Sequence, residues 1–95
     1  MLSQRIYELR TALGWSQVIL AKRLNVSKQT VSNWENGNIQ PSIEMLVRLT
    51  EVFNVSADYL LGLEDIPRLD IIGLPETVVA HLSALIDDLR ANGRE

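Results

Sequence analysis

Residues Gln17 to Asn36, QVILAKRLNVSKQTVSNWEN, decide the fold because they predict two short helices joined by a tight turn. Apolar residues recur at helical spacing as far as Leu24, and the period resumes with Val31 and Trp34, three positions apart. Between the two segments, Asn25 tolerates the left-handed backbone that a tight turn requires. The sequence therefore predicts a packed pair of helices hinged at Asn25.

Small and capping residues support the same pair. Ala21 lies midway along the first helix, where its methyl group lets the second helix approach closely. Ser16 and Ser27 each precede one helix, and their hydroxyls can accept hydrogen bonds from the unpaired amides of the first turn. Both helix starts are therefore marked.

The second helix carries a polar face on the side away from Val31 and Trp34. The residues of this face are Lys28, Gln29, Ser32 and Asn33. Gln and Asn can bond bidentately to the major-groove edge of adenine, Lys can bond guanine, and Ser is adaptable. The face is suited to contacting bases in double-stranded DNA, and the hinge beside it makes an ordinary solvated face the weaker interpretation.

Three further helices are predicted within residues 1–62, which makes the fold class all-α. The first, about residues 3–13, would end at Gly14, and the third would end at Gly37. Pro41-Ser42 is a start signal for the fourth helix, and Ser56 caps a short fifth helix at residues 57–61. The residues expected to face inward are Ile6, Leu9 and Leu13 in the first helix, Ile43, Leu46, Val47, Leu49 and Phe53 in the fourth, and Tyr59 and Leu60 in the fifth.

The remainder of the chain predicts a linker followed by one amphipathic helix. Residues 63–74 carry Pro67 and mixed charge, yet they are apolar enough that we expect them to be docked on something. A sixth helix would begin near Pro75 and end at Asn92-Gly93. Its apolar stripe consists of Val78, Val79, Leu82, Leu85, Ile86 and Leu89.

A lone helix has no second layer to cover such a stripe, and an exposed apolar patch usually marks an interface. Homodimerisation through residues 69–91 is the economical explanation, and packing of the helix back on the first five is the alternative. The chain thus divides into a helix-turn-helix DNA-binding domain (1–62), a linker (63–74) and a C-terminal oligomerisation helix (75–95).

The charge of the chain is distributed unevenly. The net charge is −3, which disfavours a nucleic-acid binder if it is taken over the whole chain. Residues 1–62 carry six basic and five acidic side chains, a net of +1, whereas residues 63–95 carry three and seven, a net of −4. We therefore expect the acidic tail to lie away from DNA.

Several other functions find no support in the sequence. Without cysteine the chain has no disulfide, which fits a reducing cytoplasm, and no apolar run approaches the roughly 20 residues that span a bilayer. His81 is the sole histidine and cannot assemble a metal site by itself. No phosphate loop or nucleophile motif is present. We expect no enzyme, no metal, no cofactor and no small-molecule substrate.

Residues 3–62 resemble the lambda-repressor-like, Xre-type helix-turn-helix family of transcriptional regulators. The motifs behind the resemblance are Arg-x-x-x-x-Gly followed by Ser-Gln, Leu-Ala, the hinge, Val-Ser, Trp-Glu-Asn-Gly, Pro-Ser and a closing Val-Ser-x-x-x-Leu-Leu-Gly. They cover about two thirds of the chain. The resemblance implies a five-helix DNA-binding domain, and members of the family often carry a C-terminal oligomerisation helix.

The resemblance also implies roles for single residues. Lys28, Gln29, Ser32 and Asn33 would face bases. The residues that would contact phosphates are Arg10, Ser16, Gln17, Ser27, Asn36, Asn38 and Ser42, together with the backbone of Gly37 and Asn38. Arg10 and Glu35 match a pair that forms a salt bridge in this family, so a structural role for Arg10 takes precedence over its phosphate contact.

The loop after Glu-Asn-Gly departs from the family pattern. Relatives commonly carry Lys or Arg there, whereas this chain has Asn38, Ile39 and Gln40. Fewer cations release fewer counterions, so one domain should bind weakly and a dimer becomes more necessary. Two-fold symmetry predicts a palindromic operator with half-sites roughly 34 Å apart.

We therefore expect a cytoplasmic, homodimeric, sequence-specific transcriptional regulator that is associated with the nucleoid when bound to DNA and acts as a repressor. The competing hypothesis is a protein-interaction module of the antitoxin or anti-repressor type. In that case the apolar C-terminal helix would hold another protein and DNA binding would be secondary, as the low charge of residues 1–62 suggests.

Overall fold

The computed structural model describes residues 2–92, and α-helix is the only regular secondary structure in that range. Six helices follow one another along the chain: α1 Leu2–Ala12, α2 Gln17–Leu24, α3 Lys28–Glu35, α4 Ile43–Phe53, α5 Ala57–Leu60 and α6 Glu76–Asn92. The all-α prediction is confirmed, and each helix lies within a residue or two of its predicted place. Gly93, predicted to end α6, lies outside the described residues, as does the rest of the oligomerisation segment to residue 95.

Serine hydroxyls begin four of these helices. The Oγ atoms of Ser16, Ser27, Ser42 and Ser56 accept hydrogen bonds from the backbone N–H three residues further on, at 3.0 to 3.2 Å. Each serine has extended backbone, and so turns the chain sharply into its helix. The caps fix where α2, α3, α4 and α5 begin.

Residues with a left-handed backbone conformation follow α1, α2, α3 and α4, at the turns between helices. Asn25 has φ 56° after α2, as predicted for the hinge, and Asn54 has φ 52° after α4. Gly14 and Gly37 follow α1 and α3 with φ of 73° and 74°. In these positions the chain reverses direction within a few residues, so α1 to α5 can fold on one another.

One core joins the first five helices. α1 packs against α3 and α5, α2 against α3 and α4, and α4 against α5. The buried apolar residues are Ile6, Leu20, Ala21, Leu24, Val31, Trp34, Leu49, Phe53, Val55 and Leu60, with Leu9, Leu46 and Tyr59 packed at its edge. α3 is therefore held from two sides, by α1 and α2.

Three predicted inward residues are exposed. Leu13 follows the last residue of α1 and so leaves the buried face. Ile43 and Val47 are 83% and 51% exposed because they lie one turn apart on the outer side of α4, whereas Leu49 and Phe53 face the core. For these three residues the prediction is wrong.

The segment from residue 63 to 74 is attached to the first five helices by polar groups. Arg5 Nη2 donates to the Glu64 carbonyl at 3.4 Å and lies 3.6 Å from the Asp65 carboxylate. Asn54 Oδ1 accepts from the Asp70 amide at 3.0 Å. The apolar side chains of the segment stay largely exposed, so the burial expected for them is absent in the single chain.

α6 contributes no residue to the core. Among its described residues none is buried, and the predicted apolar stripe is 37% to 61% exposed apart from the half-buried Val79. No described helix is long and apolar enough to cross a membrane.

Candidate nucleic-acid interface

α3 presents one buried and one polar side. Val31 and Trp34 are sealed in the core, with 0% and 4% exposure. On the other side Lys28 and Gln29 are exposed, and Ser32 and Asn33 are half-buried. The structure thus brings the four predicted base-contacting residues to one accessible face, which we call the α3 polar face.

A side-chain hydrogen bond orders this face. Gln29 Nε2 donates to Asn33 Oδ1 at 3.0 Å, one helical turn away. The bond leaves the Gln29 carbonyl oxygen as an acceptor and the Asn33 amide N–H groups as donors. Adenine offers a donor at N6 and an acceptor at N7, so the joined pair complements its major-groove edge. This bond was not predicted, although two amides at i,i+4 spacing on a helix are its sequence signal.

Behind the face, Glu35 ties three helices together. Arg10 Nε and Nη2 donate to the two Glu35 carboxylate oxygens at 2.7 and 2.8 Å, and Gln17 Nε2 donates to Oε1 at 3.1 Å. Arg10 Nη1 also donates to the Trp15 carbonyl at 2.8 Å. The predicted salt bridge between Arg10 and Glu35 is confirmed, and it anchors the end of α3 to α1 and α2.

The Arg10 guanidinium is both buried and satisfied. The residue is 8% exposed, and its hydrogen bonds to Glu35 raise its pKa above the ordinary value, against the opposing effect of burial. Because three of its nitrogens already donate within the protein, its structural role is well supported. A phosphate contact from Arg10 stays a prediction.

Three predicted phosphate-contacting serines are also helix caps. Ser16, Ser27 and Ser42 are exposed, and each hydroxyl accepts a backbone N–H. A hydroxyl that accepts one hydrogen bond retains its own O–H for donation to a phosphate oxygen. Ser27 differs, because its Oγ also lies 2.8 Å from Thr30 Oγ1.

The turn after α3 exposes asparagine side chains. Asn36 and Asn38 are exposed, and the Gly37 amide donates to the Trp34 carbonyl at 3.1 Å. The Asn38 amide donates to the Asn33 carbonyl at 3.0 Å. These two amides, predicted to approach phosphates, are already bonded inside the turn, so the side chains are the better candidates for that contact.

No group of three His, Asp or Glu residues is placed to hold a metal ion within residues 2–92. The chemistry of the α3 polar face is instead neutral hydrogen bonding with one cation, Lys28.

A profile of the helix-turn-helix family matches residues 6–60. The HTH-type transcriptional regulator ImmR of Bacillus subtilis (strain 168) is 34% identical over 67 residues, 70% of this chain, and the chain spans only 53% of the length of ImmR. The uncharacterized HTH-type regulator YonR, derived from the SPbeta prophage of the same organism, is 32% identical over 93 residues, which cover 96% of this chain and 86% of YonR.

Solved structures have the same arrangement of helices. The P22 c2 repressor bound to a synthetic operator superposes with a TM-score of 0.60 at 33% identity, covering 63% of this chain and 91% of that one. The complex of SinR with SinI gives a TM-score of 0.60 at 29% identity, and this match covers 98% of this chain and 82% of the other.

Proposed function

The chain belongs to the helix-turn-helix family of DNA-binding transcriptional regulators, and from this premise we propose that it is a dimeric repressor of a palindromic operator. The observation that carries the proposal is the α3 polar face, accessible on one side and held by buried Val31 and Trp34 on the other. A helix fixed in this way can enter the major groove without losing its register.

Base recognition is assigned to the four residues of the α3 polar face. Lys28 bonds guanine O6 or N7, and the joined Gln29 and Asn33 contact adenine through one acceptor and one donor. Ser32, in the middle of the face, has a hydroxyl that can donate or accept, and so it can bond either of these two bases. Each good bidentate contact discriminates against a wrong base by about 1 to 3 kcal/mol.

Phosphate contacts on both sides of the groove set the register. We assign them to Arg10, Ser16, Gln17, Ser27, Asn36, Asn38 and Ser42. Such contacts position a protein on DNA without specifying sequence. With a net charge of only +1 on residues 1–62, they give one domain a modest affinity.

Two joined domains compensate for that weakness. The α6 stripe supplies the dimer interface through Val78, Val79, Leu82, Leu85, Ile86 and Leu89, and residues 63–74 link it to the DNA-binding domain. Linking two binding modules raises the overall affinity by about 10²- to 10⁴-fold when both engage together. The protein acts in the cytoplasm, at the nucleoid when it holds its operator.

The α3 polar face is tested by replacing Gln29 and Asn33 together with alanine. Operator affinity should fall about 5- to 150-fold, towards the level of unrelated DNA, because the donor and the acceptor that contact adenine are both lost. Thermal unfolding should stay nearly unchanged, since neither side chain is in the core. Fluorescence anisotropy and circular dichroism measure the two effects.

Gln4→Ala is the matched control, since it removes an exposed amide from α1. It should bind the operator as the parent chain does. Retained specificity in the double variant would contradict the proposed role of α3.

A second function is favoured by one observation, the likeness over almost the whole chain to the SinR and SinI complex, an assembly of two proteins. In this alternative the α6 stripe holds another protein, as an antitoxin or anti-repressor partner would. Analytical ultracentrifugation separates the two. A stable homodimer supports the repressor, whereas a chain that is monomeric or aggregates until a partner is added supports the interaction module.

A further inference from the structure

The apolar residues of α6 have a spacing that reads the same from either end of the helix. Val79, Leu82, Ile86 and Leu89 are separated by three, four and three positions, the a and d pattern of a coiled-coil seam. This spacing is the same in both chain directions. A helix with such a seam can pair with an identical helix in either orientation, so other features must set the orientation.

The four residues of this seam form one wall of a groove. The segment from Pro67 to Ile71 lies along α6 and encloses with it a space of about 530 Å³. Leu69 and Ile71 line it on one side, and Leu82 and Ile86 line it on the other. The groove is therefore mainly apolar on both walls, with Ser83 as the polar residue on the α6 side.

We propose that the α6 helix of a second copy occupies this groove in the antiparallel orientation. The proposal rests on the dimer assigned above and specifies its geometry. Val79 then meets Leu89 of the partner subunit, and Leu82 meets Ile86 of the partner subunit. Leu69 and Ile71 cover the outer side of the incoming helix.

Charge complementarity selects the antiparallel orientation. Glu76 lies in the first turn of α6 and Arg90 in the last, and both are exposed. They are fourteen residues apart, two heptads, and so share one flank of the seam. Antiparallel pairing sets each Glu76 beside Arg90 of the partner subunit and opposes the two helix dipoles. Parallel pairing would gather both glutamates at one end and both arginines at the other.

The orientation also fits a palindrome. A helix of 17 residues is about 25 Å long at 1.5 Å per residue. Antiparallel pairing places the two N-termini of α6, and hence the two linkers, at opposite ends of this length. The ends of the two linkers at α6 are then already separated by most of the roughly 34 Å that lies between half-site centres. Parallel helices would release both DNA-binding domains at the same end.

Charge reversal in the 95-residue chain tests the pairing. Glu76→Arg and Arg90→Glu each convert two attractions into two repulsions, so each should weaken the dimer about tenfold in sedimentation equilibrium. The double variant restores both pairs and should recover parental dimerisation within about twofold. The helix dipole alone predicts the reverse, because the double variant carries both unfavourable end charges. A double variant weaker than either single one would overturn the proposal.

Cross-linking gives a second readout, since the natural chain contains no cysteine. A mixture of Glu76→Cys and Arg90→Cys chains should form a covalent dimer with a short bismaleimide, whereas each variant alone should not. Efficient cross-linking of Glu76→Cys with itself would overturn the antiparallel orientation. Operator binding by the parent chain is measured separately: a parent dimer that binds no operator contradicts the proposed function while leaving the pairing intact.

Discussion

Glu35 accepts hydrogen bonds from residues of two other helices, Arg10 of α1 and Gln17 of α2. The side chains of Arg10 and Glu35 are only 10% and 5% exposed. A buried charge is tolerated when it is paired and hydrogen-bonded, and becomes costly when its partner is removed. The position of α3, and of its polar face, thus depends on this carboxylate.

Removing the Glu35 carboxylate should destabilise the protein. Glu35→Ala leaves the Arg10 guanidinium buried without its partner, and the expected loss is about 3 to 5 kcal/mol in the free energy of unfolding. Glu35→Gln keeps an acceptor for Arg10 and should lose less. Urea denaturation measures both variants.

Glu8→Ala on the exposed side of α1 is the control and should change the free energy of unfolding by no more than about 0.5 kcal/mol. Equal effects of Glu35→Ala and Glu8→Ala would show that the buried pair does not hold α3. The hydrogen bonds to Glu35 raise the pKa of Arg10, so the contribution of the charged guanidinium to stability is lost only as the pH rises through that raised pKa.

At the level of the helices, two corners are built by the same tripeptide. Asn25-Val26-Ser27 joins α2 to α3, and Asn54-Val55-Ser56 joins α4 to α5. In each, the asparagine is left-handed, the valine packs in or against the core, and the serine caps the next helix. The chain therefore uses one local solution twice.

Alanine at the two left-handed asparagines should cost about 1 to 2 kcal/mol each, because an L side chain other than Asn rarely adopts this backbone conformation. Asn54→Ala also removes the acceptor of the Asp70 amide, so Asn25→Ala is the cleaner test of the backbone. Asn36→Ala is the matched control, since Asn36 also follows a helix but has φ −83°. It should change the free energy of unfolding by about 0.5 kcal/mol or less. If all three variants lost equal stability in urea, backbone strain would not explain the corners.

Sequence patterns predicted where the helices begin and end better than they predicted which side of α4 is buried. The hinge at Asn25 and the serine caps depend on local chemistry, and so they could be predicted. The stripe containing Ile43 and Val47 was assigned from apolarity alone, and which side of α4 faces the core depends on where α2 and α5 pack. The corner at Asn54 was not predicted, although it repeats the tripeptide at Asn25.

For the DNA interface, the sequence predicted which residues share a face of α3 but not the hydrogen bonds between their side chains. Periodicity places Lys28, Gln29, Ser32 and Asn33 on one face of α3, and the structure agrees on that placement. The bonds from Gln29 to Asn33 and from Gln17 to Glu35 depend on side-chain conformations, which residue spacing does not fix. What these side chains contact in DNA stays a prediction.

Across the whole molecule, two parts of opposite net charge are joined by polar contacts. The DNA-binding domain carries a net charge of +1, the remainder carries −4, and Arg5 links them through Glu64 and Asp65. The exposed apolar stripe of α6 belongs to the acidic part. This organisation supports the proposal that one surface binds DNA and the other binds a second copy of the chain.

Selection of bound duplexes from a random pool, followed by sequencing, tests the central claim most directly: two α3 helices enter two major grooves of one site. The 95-residue chain should enrich a palindrome whose half-site centres lie about 10 base pairs, or roughly 34 Å, apart. A selected pool with no sequence preference over the starting pool would contradict the claim.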